Sequence, residues 1–190
     1  MPKTTPQPPS PLATWTEDAR AARAAITHEL DAGRDVIAVA HSFGGIAMSE
    51  AVRGLGKEDR RKTGRDPGML RLVYMCAMAL QKSQAHVGQM APVTAEEERY
   101  LNFPTDASRT IFYNRCDPVD VERAVDLLGT FPPGPLAVPV TCAAYLEERM
   151  IVKGGGVFVV ERCAEGHSPF LSDTSFVVRC LRRAAGEDRV

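Results

Sequence analysis

The sequence predicts an α/β fold with a mostly parallel sheet and a small helical cap. Residues 36–40 form an unbroken run of small or β-branched apolar residues, which is typical of a strand buried on both faces of a parallel sheet. Strand and helix patterns alternate along the chain, which favours right-handed crossovers between parallel strands. Residues 81–135 are polar and interrupted by prolines, and such a segment between two core strands is typical of a cap.

Composition restricts the class of protein. A chain of 190 residues, 44% hydrophobic and 25% charged, is large enough for one domain with a buried core. The net charge of −1 gives no reason to expect a nucleic-acid partner. No apolar run has membrane-spanning length or the character of a signal peptide, so we expect a cytoplasmic protein without a membrane partner. The five cysteines lack metal-ligand spacing and most lie in apolar runs, so we expect buried free thiols in a reducing compartment and no metal. We also expect no cofactor.

The elements follow in chain order. Residues 1–13 are rich in proline and predict an extended arm, followed by one domain over 14–190 with the cap inserted at about 81–135. Thr14 and Glu17 form a capping-box signature at the start of a helix that Gly33 ends. Alternating charges over residues 57–68 predict a solvated loop. The remaining predictions are strands at 70–77, 139–146 and 157–160, and helices near 119–128 and 173–185.

A serine follows the apolar run of residues 36–40. Gly44 and Gly45 come next and open a helical pattern. A strand, a sharp turn carrying serine and a helix form the geometry of a nucleophile elbow, whose motif G-x-S-x-G reads A-H-S-F-G here. A turn with an incidental serine is the alternative, but the buried strand and the helix around Ser42 favour the elbow.

The second chemical residue is His167, which lies just past the last predicted strand in a Gly-His-Ser-Pro turn. Parallel strands place such loops on one edge of the sheet, so Ser42 and His167 should share that edge. A serine becomes nucleophilic when a base lies within hydrogen-bond reach, and histidine is the usual base. The sequence therefore predicts Ser42 as nucleophile and His167 as general base.

Two motifs make the chain resemble the α/β-hydrolase superfamily: A-H-S-F-G-G at 40–45 and G-H-S-P-F-L-S at 166–172. The chain is most similar to a fungal and bacterial group of serine hydrolases with the elbow G-H-S-[YF]-G-G and the same C-terminal motif. The pattern W-x-x-D-x-x-x-x-R also fits, as Trp15, Asp18 and Arg23. The resemblance implies the same roles for Ser42 and His167.

The chain departs from the family pattern in two places. Only about 35 residues precede the elbow strand, so we expect a truncated fold that lacks the first four strands and one of the two oxyanion donors. The backbone N–H of Phe43 would supply the other donor. The loop that presents the triad acid also looks deleted. Candidates for the acid are Glu147 and Glu148, with Asp117 and Asp120 in the cap, and a solvated surface charge is the alternative for each.

The resemblance implies a serine hydrolase acting on a small ester, thioester or lactone, weakened by the two missing loops. The alternative is an inactive or non-hydrolytic relic of the fold, used for lyase or cyclisation chemistry or for binding. Beside the nucleophile, His41 and Phe43 are candidate substrate-binding residues. Aromatic and apolar residues of the cap would line the pocket, with plain packing of the cap as the alternative: Met90, Phe103, Phe112 and Tyr113.

The strand at 36–40 also predicts a partner. It carries no lysine, proline or bulge-forming glycine, the features that normally protect an edge strand from pairing with another chain. Without the preceding strands its edge would be exposed, so we expect self-association through residues 36–40.

Overall fold

The computed structural model describes residues 14–80, 82–83, 105–129, 139–141 and 159–187. The described residues form parallel strands with helices packed against them, which confirms the α/β class. In chain order the elements are α1 (Trp15–Asp31), β1 (Val36–His41), α2 (Gly44–Ala51), α3 (Lys57–Arg61), β2 (Met69–Met75), α4 (Thr105–Phe112), α5 (Pro118–Asp126), α6 (Pro169–Ser172) and α7 (Thr174–Ala184).

The sheet places two strand ends side by side. β1 and β2 pair in parallel, with Ala40 opposite Tyr74 and His41 opposite Met75. Within the described part of the chain the sheet consists of these two strands. Because both strands end at the same level, the residues that follow them meet at one edge of the sheet.

The first helix begins where the sequence predicts. Thr14 and Glu17 form the capping box, with both reciprocal hydrogen bonds to the backbone present. Gly33 follows the helix at a φ of 84°, a left-handed conformation that glycine adopts without steric cost.

α1 and α2 cover one face of the strand β1. Ala38 and Ala40 on that face are buried, whereas Val39 on the other face is 38% exposed. The prediction of a strand buried on both faces is therefore wrong for the described structure. The core lies in two clusters, one of Ile26, Leu30, Ala38, Val52, Leu55 and Met69 and the other of Trp15, Ala19, Ile46, Ala47 and Val140.

Two residues of the W-x-x-D-x-x-x-x-R pattern hold α2 in place. Trp15 is buried in the second cluster, against Ile46 and Ala47 of α2. Arg23 Nη1 donates hydrogen bonds of 2.7 Å to the carbonyl oxygens of Ala51 and Arg53, at the C-terminal end of α2. The last carbonyl groups of a helix lack donors within it, so the guanidinium caps the end of α2. The pattern therefore positions the helix that begins directly after Ser42.

The predicted loop at 57–68 contains a short helix, α3, so that prediction is wrong over Lys57–Arg61. The charges of this stretch are not all solvated either, because the Arg60 side chain is buried. Its guanidinium donates to the carbonyl oxygen of Pro67 at 2.6 Å and to Asp31 Oδ1 at 2.8 Å. An alternation of charges in the sequence does not reveal that one of them is paired across the fold.

Two predicted strands fall partly outside the described residues. Residues 139–141 are not in a strand, and 142–146 lie outside the described residues. Val159 and Val160 are not in a strand either and are 83% and 67% exposed, so the fourth strand is wrong at these positions. The helices predicted near 119–128 and 173–185 are confirmed as α5 and α7. Among the described helices, none has the length and apolar character needed to cross a membrane.

Candidate active site

Ser42 lies in the sharp turn between β1 and α2, so the strand, turn and helix predicted around it are present. Its φ of 53° lies in the left-handed region, which is uncommon for a residue with a side chain. Two backbone N–H groups hold the turn by donating to the Ser42 carbonyl oxygen, Met78 at 2.8 Å and Gly45 at 3.2 Å. The turn is therefore fixed both from within and by the segment that follows β2.

Glycine is required at position 45 for steric reasons. A Cβ at Gly45 would lie 2.3 Å from the carbonyl oxygen of Met78 and 3.1 Å from Ala77 Cβ. At Gly44 a Cβ would meet nothing within 4 Å. Only Gly45 is thus required by the close approach of the chain that leaves β2.

His167 lies at the same edge of the sheet. His41 is the last residue of β1, and its Nε2 lies 2.8 Å from the carbonyl oxygen of His167. The centroids of the two imidazole rings are 4.7 Å apart. Cys76, which follows β2, places its Sγ 3.8 Å from the carbonyl oxygen of Gly166. The segment that carries His167 thus lies across the carboxyl ends of both strands, in contact with the residue directly before Ser42.

Residues of the cap also contact the segment that carries His167. The ring of Phe112, at the end of α4, lies 5.5 Å from the His167 ring. A Cβ at Gly166 would lie 2.1 Å from Asn114 Oδ1, so glycine is needed where the cap meets the segment. Tyr113 packs edge-on against Phe112, with ring centroids 6.2 Å apart. Of the predicted pocket residues, Phe112 thus contacts the His167 ring, and Tyr113 contacts Phe112.

Burial affects the protonation of His167. Burial lowers the pKa of His167 below its ordinary value, and the neighbouring His41 lowers it further. The neutral imidazole, which can accept a proton, is favoured as a result. Burial also raises the pKa of the Tyr113 phenol, which keeps that hydroxyl neutral.

Some predicted site residues are not brought together. Within the described residues no hydrogen bond joins Ser42 Oγ to the His167 ring, a contact that in many enzymes tightens only in the complex with substrate. Asp117 Oδ1 accepts a 2.8 Å hydrogen bond from Val119 N and caps α5, and Asp120 lies in the first turn of α5. Four predicted residues lie outside the described residues: Glu147, Glu148, Met90 and Phe103.

Three residues at the site were missed by the sequence analysis. Phe170 packs edge-on against the His41 ring at 5.0 Å, and its place in the motif at 166–172 could have indicated it. Cys76 directly follows a strand, a position at which site residues are common. Asn114 carries no sequence signal, because only the tertiary structure brings it to Gly166.

Comparisons with known proteins show the family. No family model matches the sequence. The chain is 37% identical over 213 residues to alpha/beta hydrolase nvfD of Aspergillus novofumigatus, a match that covers 98% of this chain and 84% of that protein. A probable hydrolase of Phoma is 33% identical over 78 residues, which cover 41% of this chain and 29% of that protein. The chain belongs to the α/β-hydrolase family.

Solved structures show the same fold. An extracellular alpha/beta-hydrolase from a Paenibacillus species matches with a TM-score of 0.65 and 14% identity, over 92% of this chain and 81% of its own. A mutant of polyneuridine aldehyde esterase matches with a TM-score of 0.63 and 15% identity, over 95% and 83%. A methylesterase from Arabidopsis has a TM-score of 0.59 and 17% identity, over 91% and 78%. These similarities confirm the α/β-hydrolase fold.

Proposed function

We propose that this chain is a serine hydrolase that cleaves a small ester, thioester or lactone, with Ser42 as nucleophile and His167 as general base. The observation that carries the proposal is the position of the two residues. Ser42 lies in a left-handed turn between β1 and α2, and the segment of His167 is hydrogen-bonded to the residue directly before it. Membership of the α/β-hydrolase family supports the same reaction class.

The reaction passes its protons through one imidazole, twice in acylation and twice in deacylation. Ser42 Oγ attacks the substrate carbonyl carbon while neutral His167 takes the hydroxyl proton. The resulting imidazolium gives that proton to the leaving alkoxide or thiolate, and an acyl-serine remains. Water then attacks the acyl carbon, its proton passes to His167, and the proton returns to Ser42 Oγ as the acid leaves. The lowered pKa of His167 suits the first step, because the base must begin neutral.

The negative charge that develops on the carbonyl oxygen needs hydrogen-bond donors. Phe43 directly follows the nucleophile at the N-cap of α2, so its backbone N–H is the donor we assign to that oxygen. The partial positive charge at the N-terminus of a helix favours the same anion.

Aromatic residues of the cap next to His167 support a substrate with an apolar part. Phe112 lies against the His167 ring and Tyr113 packs on Phe112, which gives an aromatic wall next to the base. Such a wall favours an ester, thioester or lactone with an apolar acyl or alcohol part. Two structural neighbours are named an esterase and a methylesterase, which agrees with ester hydrolysis.

A fluorophosphonate probe tests the proposal, because it reacts with a serine activated by a base. We expect the folded wild-type chain to be labelled and Ser42→Ala to be unlabelled. The matched control is Ser175→Ala, which removes an exposed serine hydroxyl from α7 and should leave labelling unchanged. A wild-type chain that is folded and stays unlabelled would contradict the proposal and favour the non-hydrolytic alternative.

A further inference from the structure

His41 connects the nucleophile turn to the segment that carries the base. It is the last residue of β1 and the neighbour of Ser42, and its Nε2 lies 2.8 Å from the carbonyl oxygen of His167. We infer that His41 is a positioning residue, which fixes the backbone of His167 relative to Ser42 through this hydrogen bond. The inference rests on the proposed function, because it concerns the same pair of residues.

The donor in this hydrogen bond is determined by chemistry. A carbonyl oxygen accepts and cannot donate, so the proton lies on His41 Nε2. The bond joins residues that are 126 positions apart in the sequence. It therefore acts as a tie between two distant parts of the chain.

Ring contacts hold the His41 imidazole in place for this task. It lies 4.7 Å from the His167 ring at an interplanar angle of 51°. It also lies 5.0 Å from the ring of Phe170, in α6, at 83°. The sequence predicts His41 as a substrate-binding residue, whereas in the structure its ring nitrogen and its ring contacts are directed at the segment that carries His167.

The segment needs such an anchor. Residues 159–164, which lead into it, are exposed and outside any helix or strand, and the ion pair of Glu161 with Arg183 joins them to α7 rather than to the sheet edge. β1 by contrast is held in the sheet, and its Ala38 and Ala40 are buried. A displacement of about 1 Å in a catalytic group can lower the rate about 100-fold, so loss of the tie should reduce catalysis without removing any reacting atom.

Two substitutions distinguish the contribution of the His41 hydrogen bond from that of the His41 ring. His41→Gln keeps an N–H donor at nearly the position of Nε2, and His41→Phe keeps a ring against Phe170 but has no donor. We expect fluorophosphonate labelling of Ser42 to slow about 10- to 100-fold in His41→Phe and to recover largely in His41→Gln. For a hydrolysed ester, kcat should fall by the same factor with KM little changed. The control is His28→Phe, at an exposed histidine of α1.

Hydrogen exchange gives a readout that does not depend on activity. In α6 the amides of Leu171 and Ser172 donate to the Ser168 carbonyl oxygen. We expect them to exchange faster in His41→Phe than in the wild type or in His41→Gln. Labelling of His41→Phe at the wild-type rate would overturn the inference and leave the proposed function intact, as would equal losses in both variants. A folded wild-type chain that is not labelled would remove the proposed function and this role together.

Discussion

Ser42 and Cys76 occupy the same unusual backbone conformation at neighbouring strand ends. Their φ values of 53° and 45° lie in the left-handed region, where a side chain costs on the order of 1 kcal/mol or more. Contacts around the turn compensate for this cost, including the hydrogen bond from Met78 N to the Ser42 carbonyl oxygen. Strained backbone of this kind clusters at functional sites. The observed conformation of Ser42 is therefore stronger support for a functional role than the sequence motif alone.

The first residue-level prediction concerns the two glycines of the turn. We expect Gly45→Ala to lower the free energy of unfolding by about 1 to 3 kcal/mol, because its Cβ would lie 2.3 Å from the carbonyl oxygen of Met78. Gly44→Ala is the matched control, since a Cβ there meets nothing within 4 Å. Urea denaturation of both variants makes the measurement. Equal stability of the two variants would contradict the close approach.

The second residue-level prediction concerns pH. In the proposed reaction His167 must be neutral, and burial together with His41 lowers the pKa of that imidazole below its ordinary value of 6.5. A lowered pKa keeps the base neutral to lower pH, so kcat/KM should stay constant as the pH falls past 6.5 and decline only below that value. A pH profile of kcat/KM for an activated ester measures this. A decline centred above 6.5 would show that the base is not the buried imidazole.

At the level of elements, the sequence predicted those that depend on local chemistry. The capping box of Thr14 and Glu17 acts within one turn of its helix, so the start of α1 follows from the sequence. Arg60 shows the limit, because its burial depends on Asp31, a residue 29 positions away. The hydrogen bond from His41 to the His167 carbonyl oxygen also joins residues far apart in the sequence. It could not be predicted, since nothing local to either residue indicates it.

A prediction at this level tests how α2 is held. Arg23→Ala should lower the free energy of unfolding by about 1 to 3 kcal/mol, because two carbonyl oxygens at the end of α2 lose a charged donor. Arg20→Ala, at an exposed arginine on the same helix, is the matched control and should change stability by less than about 0.5 kcal/mol. Thermal or urea denaturation compares them. A loss in Arg20→Ala as large as in Arg23→Ala would show that general charge on α1, rather than the cap, is responsible.

For the whole molecule, the family and fold follow from two motifs, whereas the arrangement of the site depends on the cap. The motifs at 40–45 and 166–172 identify the α/β-hydrolase family, and both lie at the sheet edge in the structure. The contacts of Phe112 with His167 and of Asn114 with Gly166 depend on where the tertiary fold places the end of α4. Periodicity in the sequence gives the helices of the cap but not their direction.

The edge of β1 gives the last prediction. Among the described residues, β2 is the strand that pairs with β1, and Val39 is 38% exposed on the less covered face. The strand carries no lysine or proline that would oppose pairing with another chain. We therefore expect the purified chain to self-associate at micromolar concentration, and Val39→Lys to reduce this association.

Val178→Lys is the matched control, because it places the same charge at a 46% exposed valine of α7. Sedimentation velocity measures all three proteins. A wild-type chain that sediments as a monomer would contradict the prediction, and so would equal reductions by the two lysines, which would indicate an effect of net charge rather than of the strand edge.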